Sequence, residues 1–317
     1  MSEKQQLSGK IQIRRYLQRD FDVVKTLTQG LARVYNEEFS DYIFNGLMQA
    51  RMLDASTSTF VVEYDGKVCG CAFADTERDP RCVLYGRISN VNIVEKYRRK
   101  GMGSALVDKA VNFLSGLSLS RILANVNPKD EETIQIFQKR EFKPLLKVME
   151  KRIFPPTLTP RMESKQGDIV YRTVAEKDLP EVKEFNKQLA MIFHDDFDPY
   201  WFDLCVQKYF QDPASRIFVA EQGGKVLGVA FGEVRRDPGG YSYGYISNIM
   251  VDSSVRRKRI GRNLLQMTSF FLENLNVPKI WANVRYDNAE MQHFFERQGF
   301  TPMFTVMAKK TTIDGAC

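Results

Sequence analysis

Short runs of alternating apolar and polar residues recur twice along the chain, in the same order. Ile11-Gln-Ile-Arg14 alternates as an opening strand, and so does Ile169-Val-Tyr-Arg172. Asp20 and Asp178 follow where an N-cap for a first helix is expected. Phe60–Glu63 and Val68–Phe73 predict a hairpin turned at Asp65-Gly66, matched by Gly223-Gly224 farther on. The apolar stretches Arg87–Val94 and Tyr245–Asp252 read as buried strands. After Gly103, Leu106, Ala110, Phe113, Leu114 and Leu117 share one helical face. A strand over Ile122–Val126, a short helix around Ile134–Lys139 and a closing strand near Lys147–Arg152 complete the unit. The pattern predicts an α/β fold of the α+β kind, with a mixed, mostly antiparallel sheet, made twice.

The repetition is literal. Shifting the sequence by 158 positions aligns the halves without a gap from about Gly9/Gly167 to Met149/Met307. Residues 60–144 and 218–302 share 33 identities in 85 positions, which chance does not give. Among them are Asp79-Pro80 with Asp237-Pro238, Ile88-Ser89-Asn90 with Ile246-Ser247-Asn248, and Ala124-Asn125-Val126 with Ala282-Asn283-Val284. The intervening segment from Phe154 is rich in proline and polar residues. The expected organisation is a domain over 9–154, a linker over 155–166 and a second domain over 167–312.

Composition narrows the class. The chain has 317 residues, 43% hydrophobic and 27% charged, which excludes general disorder and suits two domains of ordinary size. No apolar run approaches the ~18–20 residues that span a bilayer, and the polar start Met1–Lys10 has no apolar core of a secretory signal. A cytoplasmic protein without membrane contact is expected. Five scattered cysteines predict neither a disulfide framework nor a zinc site. Cys69-x-Cys71 is opposed by Leu227 and Val229 in the second copy, so it reads as apolar core rather than metal site. A net charge of +7 favours anionic partners. Its clustered part lies in two short runs, Arg98-Arg99-Lys100 and Arg256-Arg257-Lys258-Arg259, rather than along a continuous groove, so nucleic acid is not expected.

Those runs belong to the segment that carries chemistry. In the first copy, Val91, Asn92 and Ile93 end a strand, and Arg98, Arg99, Lys100, Gly101, Met102, Gly103 and Ser104 form a basic loop entering a helix. Such a loop aims backbone N–H groups at an anion, and its glycines allow close approach. It lacks the Lys-Ser/Thr of a P-loop and is not a dinucleotide fingerprint.

The pattern Arg98-x-x-Gly101-x-Gly103 after a strand resembles the pyrophosphate loop of the GCN5-related N-acetyltransferase superfamily, and the order of elements agrees over nearly all of both halves. The whole resembles a tandem acetyltransferase produced by duplication. The resemblance implies acetyl-CoA as acyl donor, no metal, and an amine that attacks the thioester directly in a ternary complex. It also implies that backbone groups of Val91, Asn92 and Ile93, or of Ile249, Met250 and Val251, hold the pantetheine arm and polarise the thioester. In the second copy the phosphate loop is Arg256, Arg257, Lys258, Arg259, Ile260, Gly261 and Arg262, with Asn288 on the cofactor arm.

Each copy departs from the family pattern. Arg259 stands where the first glycine belongs, so the first half is expected to bind the cofactor better. Against that, the first half has Asp130 for Asn288 and Glu141-Phe142 for Gly299-Phe300. Where many members place a tyrosine to protonate the leaving thiolate, both halves have phenylalanine, Phe137 and Phe295. Tyr85, Tyr243, Ser89 and Ser247 are the substitute acids, and Asp75 and Glu233 the candidate bases. His194 and His293 have no counterpart in the first half and carry no expected role. The acidic, aromatic segments around Glu37-Glu38 and Asp195-Asp196 suggest that the small or peptide amine acceptor is cationic. The rival to an enzyme is a non-catalytic acyl-CoA-binding or regulatory protein, or one active domain beside one structural domain.

Overall fold

The computed structural model describes residues 10–311, except 36, 38, 154–163, 238–239 and 256. Thirteen strands form one sheet. In the first half these are β1 (Ile11–Arg15), β2 (Ser58–Tyr64), β3 (Lys67–Arg78), β4 (Leu84–Ile93), β5 (Arg121–Val126) and β6 (Lys143–Arg152). In the second they are β7 (Ser164–Gln166), β8 (Ile169–Thr173), β9 (Ser215–Gln222), β10 (Lys225–Arg236), β11 (Ser242–Val251), β12 (Lys279–Arg285) and β13 (Thr301–Lys310). The helices are α1 (Phe21–Val34), α2 (Asp41–Leu53), α3 (Met102–Ser115) and α4 (Glu131–Gln138). They repeat as α5 (Leu179–Phe193), α6 (Pro199–Gln211), α7 (Ile260–Glu273) and α8 (Ala289–Glu296).

The expected elements are present, and the hairpin turns take the doubly left-handed form, with Asp65 and Gly66 at φ 50° and 74° and Gly223 and Gly224 at 60° and 85°. Helices α2 and α6 were not foreseen. They begin at the caps Ser40 and Asp198, whose side chains accept from the N–H groups of Ile43 and of Tyr200 and Trp201. Asp20 and Asp178 do not cap forward as expected. Their carboxylates reach back to the N–H groups of Leu17 and Ala175, both 2.8 Å, and each accepts two bonds from a guanidinium, Arg14 and Arg172. The arginine and the backwards N–H outweigh burial and hold both carboxyls below their ordinary range.

The halves are joined through their last strands. The sheet order is β1-β2-β3-β4-β5-β13-β6-β12-β11-β10-β9-β8-β7. Strand β13, the last among the described residues, pairs with β5 of the first half, and β6 pairs with β12 of the second. β6 and β13 lie antiparallel against each other at the centre. Consequently Met307 is fully buried in the first half's core and Met149 in the second's. Of the expected linker 155–166, β7 forms the end, and 155–163 lie outside the described residues, as do the expected domain bounds Gly9, Phe154 and Thr312.

Two equivalent ion clusters close this junction. Arg121 pairs with Asp195 of the other half, and Arg81 reaches the same carboxylate at 3.0 Å. At the matching positions Lys279 pairs with Glu37. Arg121, Lys279 and Asp195 are nearly devoid of solvent. Burial pushes the Glu37 carboxyl up, against the pull of Lys279. One disulfide, which the scattered cysteine positions gave no reason to expect, joins Cys82 to Cys205 across the halves with Cα atoms 6.2 Å apart. Cys69 and Cys71 are core residues, as expected, with burial pushing the Cys71 thiol up to about 12.

Candidate active site

Each half parts two parallel strands. β11 and β12 pair only over Gly244–Ile246 and Ile280–Ala282, and β4 and β5 only over Gly86–Ile88 and Ile122–Ala124. The parting begins at a bulge. Between the pairs Phe231↔Ser247 and Val229↔Met250, both Asn248 and Ile249 stand against Ala230 alone. Asn248 turns left-handed, φ 51°, and its amide donates to Asn186 of α5 at 2.7 Å. Asn90 repeats both features, with φ 51° and a 2.7 Å bond to Thr28 of α1. Sequence reading noted the repeated Ile-Ser-Asn but gave the asparagine no role. A left-handed residue is what re-aims the strand, and asparagine is the side chain that tolerates it best after glycine.

Beyond the bulge comes the basic loop. Arg257 and Arg259 take φ 68° and 61°, and α7 starts at Ile260. Its hydrogen-bond ladder begins with the Asn263 N–H onto the Arg259 carbonyl. The N–H groups of Ile260, Gly261 and Arg262 precede that first bond, and no side chain caps the helix. Arg259 thus occupies the left-handed position that Gly101 fills at φ 78° in the first half, at a cost of roughly 1–2 kcal/mol. It does so without displacing the helix start. Arg256 lies outside the described residues.

A cavity of about 1140 Å³ connects these parts. Its wall includes Ser247, Asn248, Ile249, Met250 and Val251 of the bulged strand, Arg257, Arg259, Ile260, Gly261 and Arg262 of the loop, and Asn288 and Phe295. Its other end crosses the junction to Tyr85, Arg87, Arg121, Leu145 and Leu146 of the first half. Lys258 is exposed. Asn288 also caps α8, accepting from Met291 N–H at 3.0 Å, as Asp130 caps α4. Phe295 and Phe137 are buried edge-on against Phe300 and Phe142.

The first half's loop is engaged differently. Arg98 donates to the Ile93 carbonyl at 3.0 Å, Lys100 lies over the rings of Tyr64 and Tyr97, and Arg99 is exposed near Glu132. Arg140 of the segment after α4 bonds Ser104 Oγ at 2.7 Å and Asp108, tying α4 across the start of α3. Asn92 donates to the Leu27 carbonyl at 2.7 Å, and Val91, Ile93 and Met102 pack into the core. Gly103 has room around it, an added Cβ meeting only Ile93 at 3.7 Å.

The candidate acids and bases separate. Tyr85 donates to Glu77 at 2.7 Å, and its hydroxyl accepts from Arg87 at 3.1 Å; burial, chiefly, pushes its pKa far up, as it does for Tyr243 stacked on Trp281. Neither is suited to releasing a proton. Ser89 and Ser247 each hold a buried hydroxyl without a partner among the described residues, and Ser247 is one of the residues lining the cavity. Asp75 is paired with Arg51, and burial pushes its carboxyl up. Glu233 is held by Lys208 at 3.0 Å and Arg235 at 2.6 Å; together they outweigh burial and keep it ionised. Neither carboxylate is among the residues lining the cavity. Glu37 and Asp195, read as attractors of a cationic acceptor, are already neutralised across the junction. His194 ends α5 in a left-handed turn and His293 is exposed beside Glu296.

The family model of the acetyltransferase (GNAT) family matches residues 15–142 and 184–300. The chain belongs to the GCN5-related N-acetyltransferase family. Both matched stretches stop just before the exchanged strands β6 and β13. Among solved structures, a GCN5-related N-acetyltransferase from Sphaerobacter thermophilus is similar at 16% identity and TM-score 0.66, over 95% of this chain and 96% of that one. A tandem GNAT protein from the clavulanic acid biosynthesis pathway is similar at 13% identity and TM-score 0.57, over 96% and 100% of the two chains. A glucosamine N-acetyltransferase region of a fungal multi-domain protein aligns at 14% identity and TM-score 0.63, over 95% of this chain and 38% of that one. At such identities these likenesses speak for the fold. Comparison with curated proteins finds no match. Family membership makes the chain an acyltransferase that works with acyl-CoA and has the tandem acetyltransferase fold. Among the described residues no helix is long and apolar enough to cross a membrane, and no three metal-ligating side chains are grouped.

Proposed function

We propose that the chain transfers an acetyl group from acetyl-CoA to an amine, and that the second half holds the donor. The carrying observation is the single cavity that joins the uncapped start of α7 and its arginines to the bulged strand β11. In this reading the pyrophosphate lies against the N–H groups of Ile260–Arg262, where the helix dipole and Arg257, Arg259 and Arg262 favour it. The pantetheine arm runs between β11 and β12, paired with main-chain groups of Ile249, Met250 and Val251. N–H groups fixed beside the thioester carbonyl stabilise the charge that develops on its oxygen.

The acceptor enters from the inter-half end. Its nitrogen attacks the carbonyl carbon, the N–C bond forms, the C–S bond breaks, and the ammonium proton passes to water. In this reading Ser247, a residue of the cavity wall, gives its hydroxyl proton to the departing sulfur and regains one by way of water in the cavity. A thiol pKa near 8.5 makes this help modest, as thiolates leave readily. Because Asp195 and Asp79 are already held by Arg121 and Arg81, this end exerts no special pull on a cation.

Thiol release from acetyl-CoA with a panel of primary amines tests the reading. Turnover with at least one amine is expected, and Ser247→Ala should lower kcat by about 10²-fold, the low end for a positioned acid, with little change in KM for acetyl-CoA. An unchanged kcat removes Ser247 from the mechanism. Binding of acetyl-CoA without release of thiol to any amine would favour the non-catalytic alternative, for which the phenylalanines at 137 and 295 speak.

A further inference from the structure

Beside the main cavity lies a second one of about 390 Å³, lined by the polar residues Lys165, Gln166, Arg259, Arg262, Asn263 and Gln266. Arg259 and Arg262 face both cavities, so the two adjoin at the start of α7. Strand β7 forms its other wall and is held there by the Asn263 amide, which donates to Gln166 Oε1 at 2.5 Å. Three of the six lining residues are cations and none is an acid.

The duplication supplies an internal control. The four α7 positions that line this cavity, Arg259, Arg262, Asn263 and Gln266, correspond to Gly101, Ser104, Ala105 and Asp108 in the first half. Those four positions hold no arginine and one acid, and Arg140, from outside the set, lies across them, bonded to Ser104 and Asp108. At these four positions cations therefore stand in one copy only, and Arg259 and Arg262 border this cavity as well as the loop's own. The two cavities share Arg259 and Arg262, so a ligand whose pyrophosphate lies on the loop has this cavity within reach of a further anionic group.

We propose that the second cavity receives the 3′-phosphate of CoA, with Lys165, Arg259 and Arg262 as its partners. This inference rests on the second half being the acyl-CoA site. A phosphate monoester carries about 1.5 to 2 negative charges near neutral pH, so two or three exposed cations gain substantially from it, less so in salt. The second half then discriminates CoA from its 3′-dephospho form, and Lys165 is a specificity residue that touches neither the thioester nor the pyrophosphate loop.

Calorimetric titration of the full chain with acetyl-CoA and with acetyl-dephospho-CoA tests this. Acetyl-CoA should bind roughly tenfold or more tightly, the equivalent of one charge-assisted contact of about 1.4 kcal/mol. In Lys165→Ala that advantage should shrink severalfold while affinity for the dephospho ligand stays as in the wild type. Raising the salt should shrink it too. Equal affinities in the wild type, or an equal loss for both ligands in Lys165→Ala, overturn the inference and leave the acyl-CoA site standing. Failure of either ligand to bind overturns that reading and this one with it.

Discussion

A chain that stops at Phe300 loses the fold of its first half, although every residue of that half is still present. Removing β13 takes Met307 out of the first half's core and strips the partner from β5 along Arg121–Val126. It also uncovers β6 on the side where Phe304 and Val306 pack against Leu146, Val148 and Trp281. Burying each of Phe304, Val306 and Met307 is worth about 1.5–3 kcal/mol, and the two bared strand edges invite aggregation. The total rivals the ~5–15 kcal/mol that holds an ordinary domain folded. Hydrogen exchange should therefore show amides of β2 to β5, far away in sequence, exchanging at the rate of an unfolded chain. Retained protection in β2 to β5 would mean that the exchanged strands decorate two independently stable halves.

Gly228→Ala, on β10, presses directly on the strand proposed to hold the thioester. A Cβ at this position would stand 2.8 Å from the Met250 carbonyl oxygen, with Leu264 and Ile260 of α7 within 3.3 Å. The carbonyl is main chain and cannot rotate aside, so β11 must shift where it is proposed to hold the thioester. Overpacking of this kind costs about 1–3 kcal/mol of stability, and a displacement approaching 1 Å at the reacting carbonyl costs ~10²-fold in rate. The equivalent Gly70→Ala meets the Asn92 carbonyl at 2.7 Å in the first half. Its stability cost should be similar, with kcat/KM for acetyl-CoA left within a few-fold of wild type. Equal losses of kcat/KM in the two variants would contradict the assignment of chemistry to the second half.

The duplication, the order of elements and the loop at residues 98–104 are legible because each is local: a period, a spacing, a glycine turn. What the sequence hides is which copy of a repeated element pairs with which. β6 and β13 are equivalent strands, and nothing in their alternation says that each should sit in the other half's sheet. Glu37 and Asp195 suffered from the same ambiguity. Read locally they are acids among aromatics; read across the repeat they face Lys279 and Arg121, which are also equivalent positions and of opposite charge. That complementarity was available in the sequence and is the signal that could have found the junction. Cys82 and Cys205, 123 residues apart and without matching cysteines in the other copy, gave no such signal.

Arg259 shows that a local rule about the backbone does not by itself decide where an anion binds. The rule that a left-handed position favours glycine is sound, and the arginine does take φ 61° there. The cost is small beside what the backbone geometry of α7 and the added positive charge offer an anion. In the first half both glycines are kept, yet Arg98, Lys100 and Arg140 are committed to protein partners around them. Under the proposed placement, the intact motif and the donor site fall in different copies.

The placement of acetyl-CoA is tested most directly by calorimetric titration of the full chain and of two single variants, Gly261→Glu and Gly103→Glu. An added Cβ finds only ordinary contact at either glycine, 3.6 Å to Val251 or 3.7 Å to Ile93, so both variants can keep the fold. Each places a carboxylate where phosphate would lie at its own loop. The account predicts acetyl-CoA binding in the wild type that is abolished by Gly261→Glu and persists in Gly103→Glu. Binding that survives Gly261→Glu and disappears in Gly103→Glu would contradict it and move the donor to the first half.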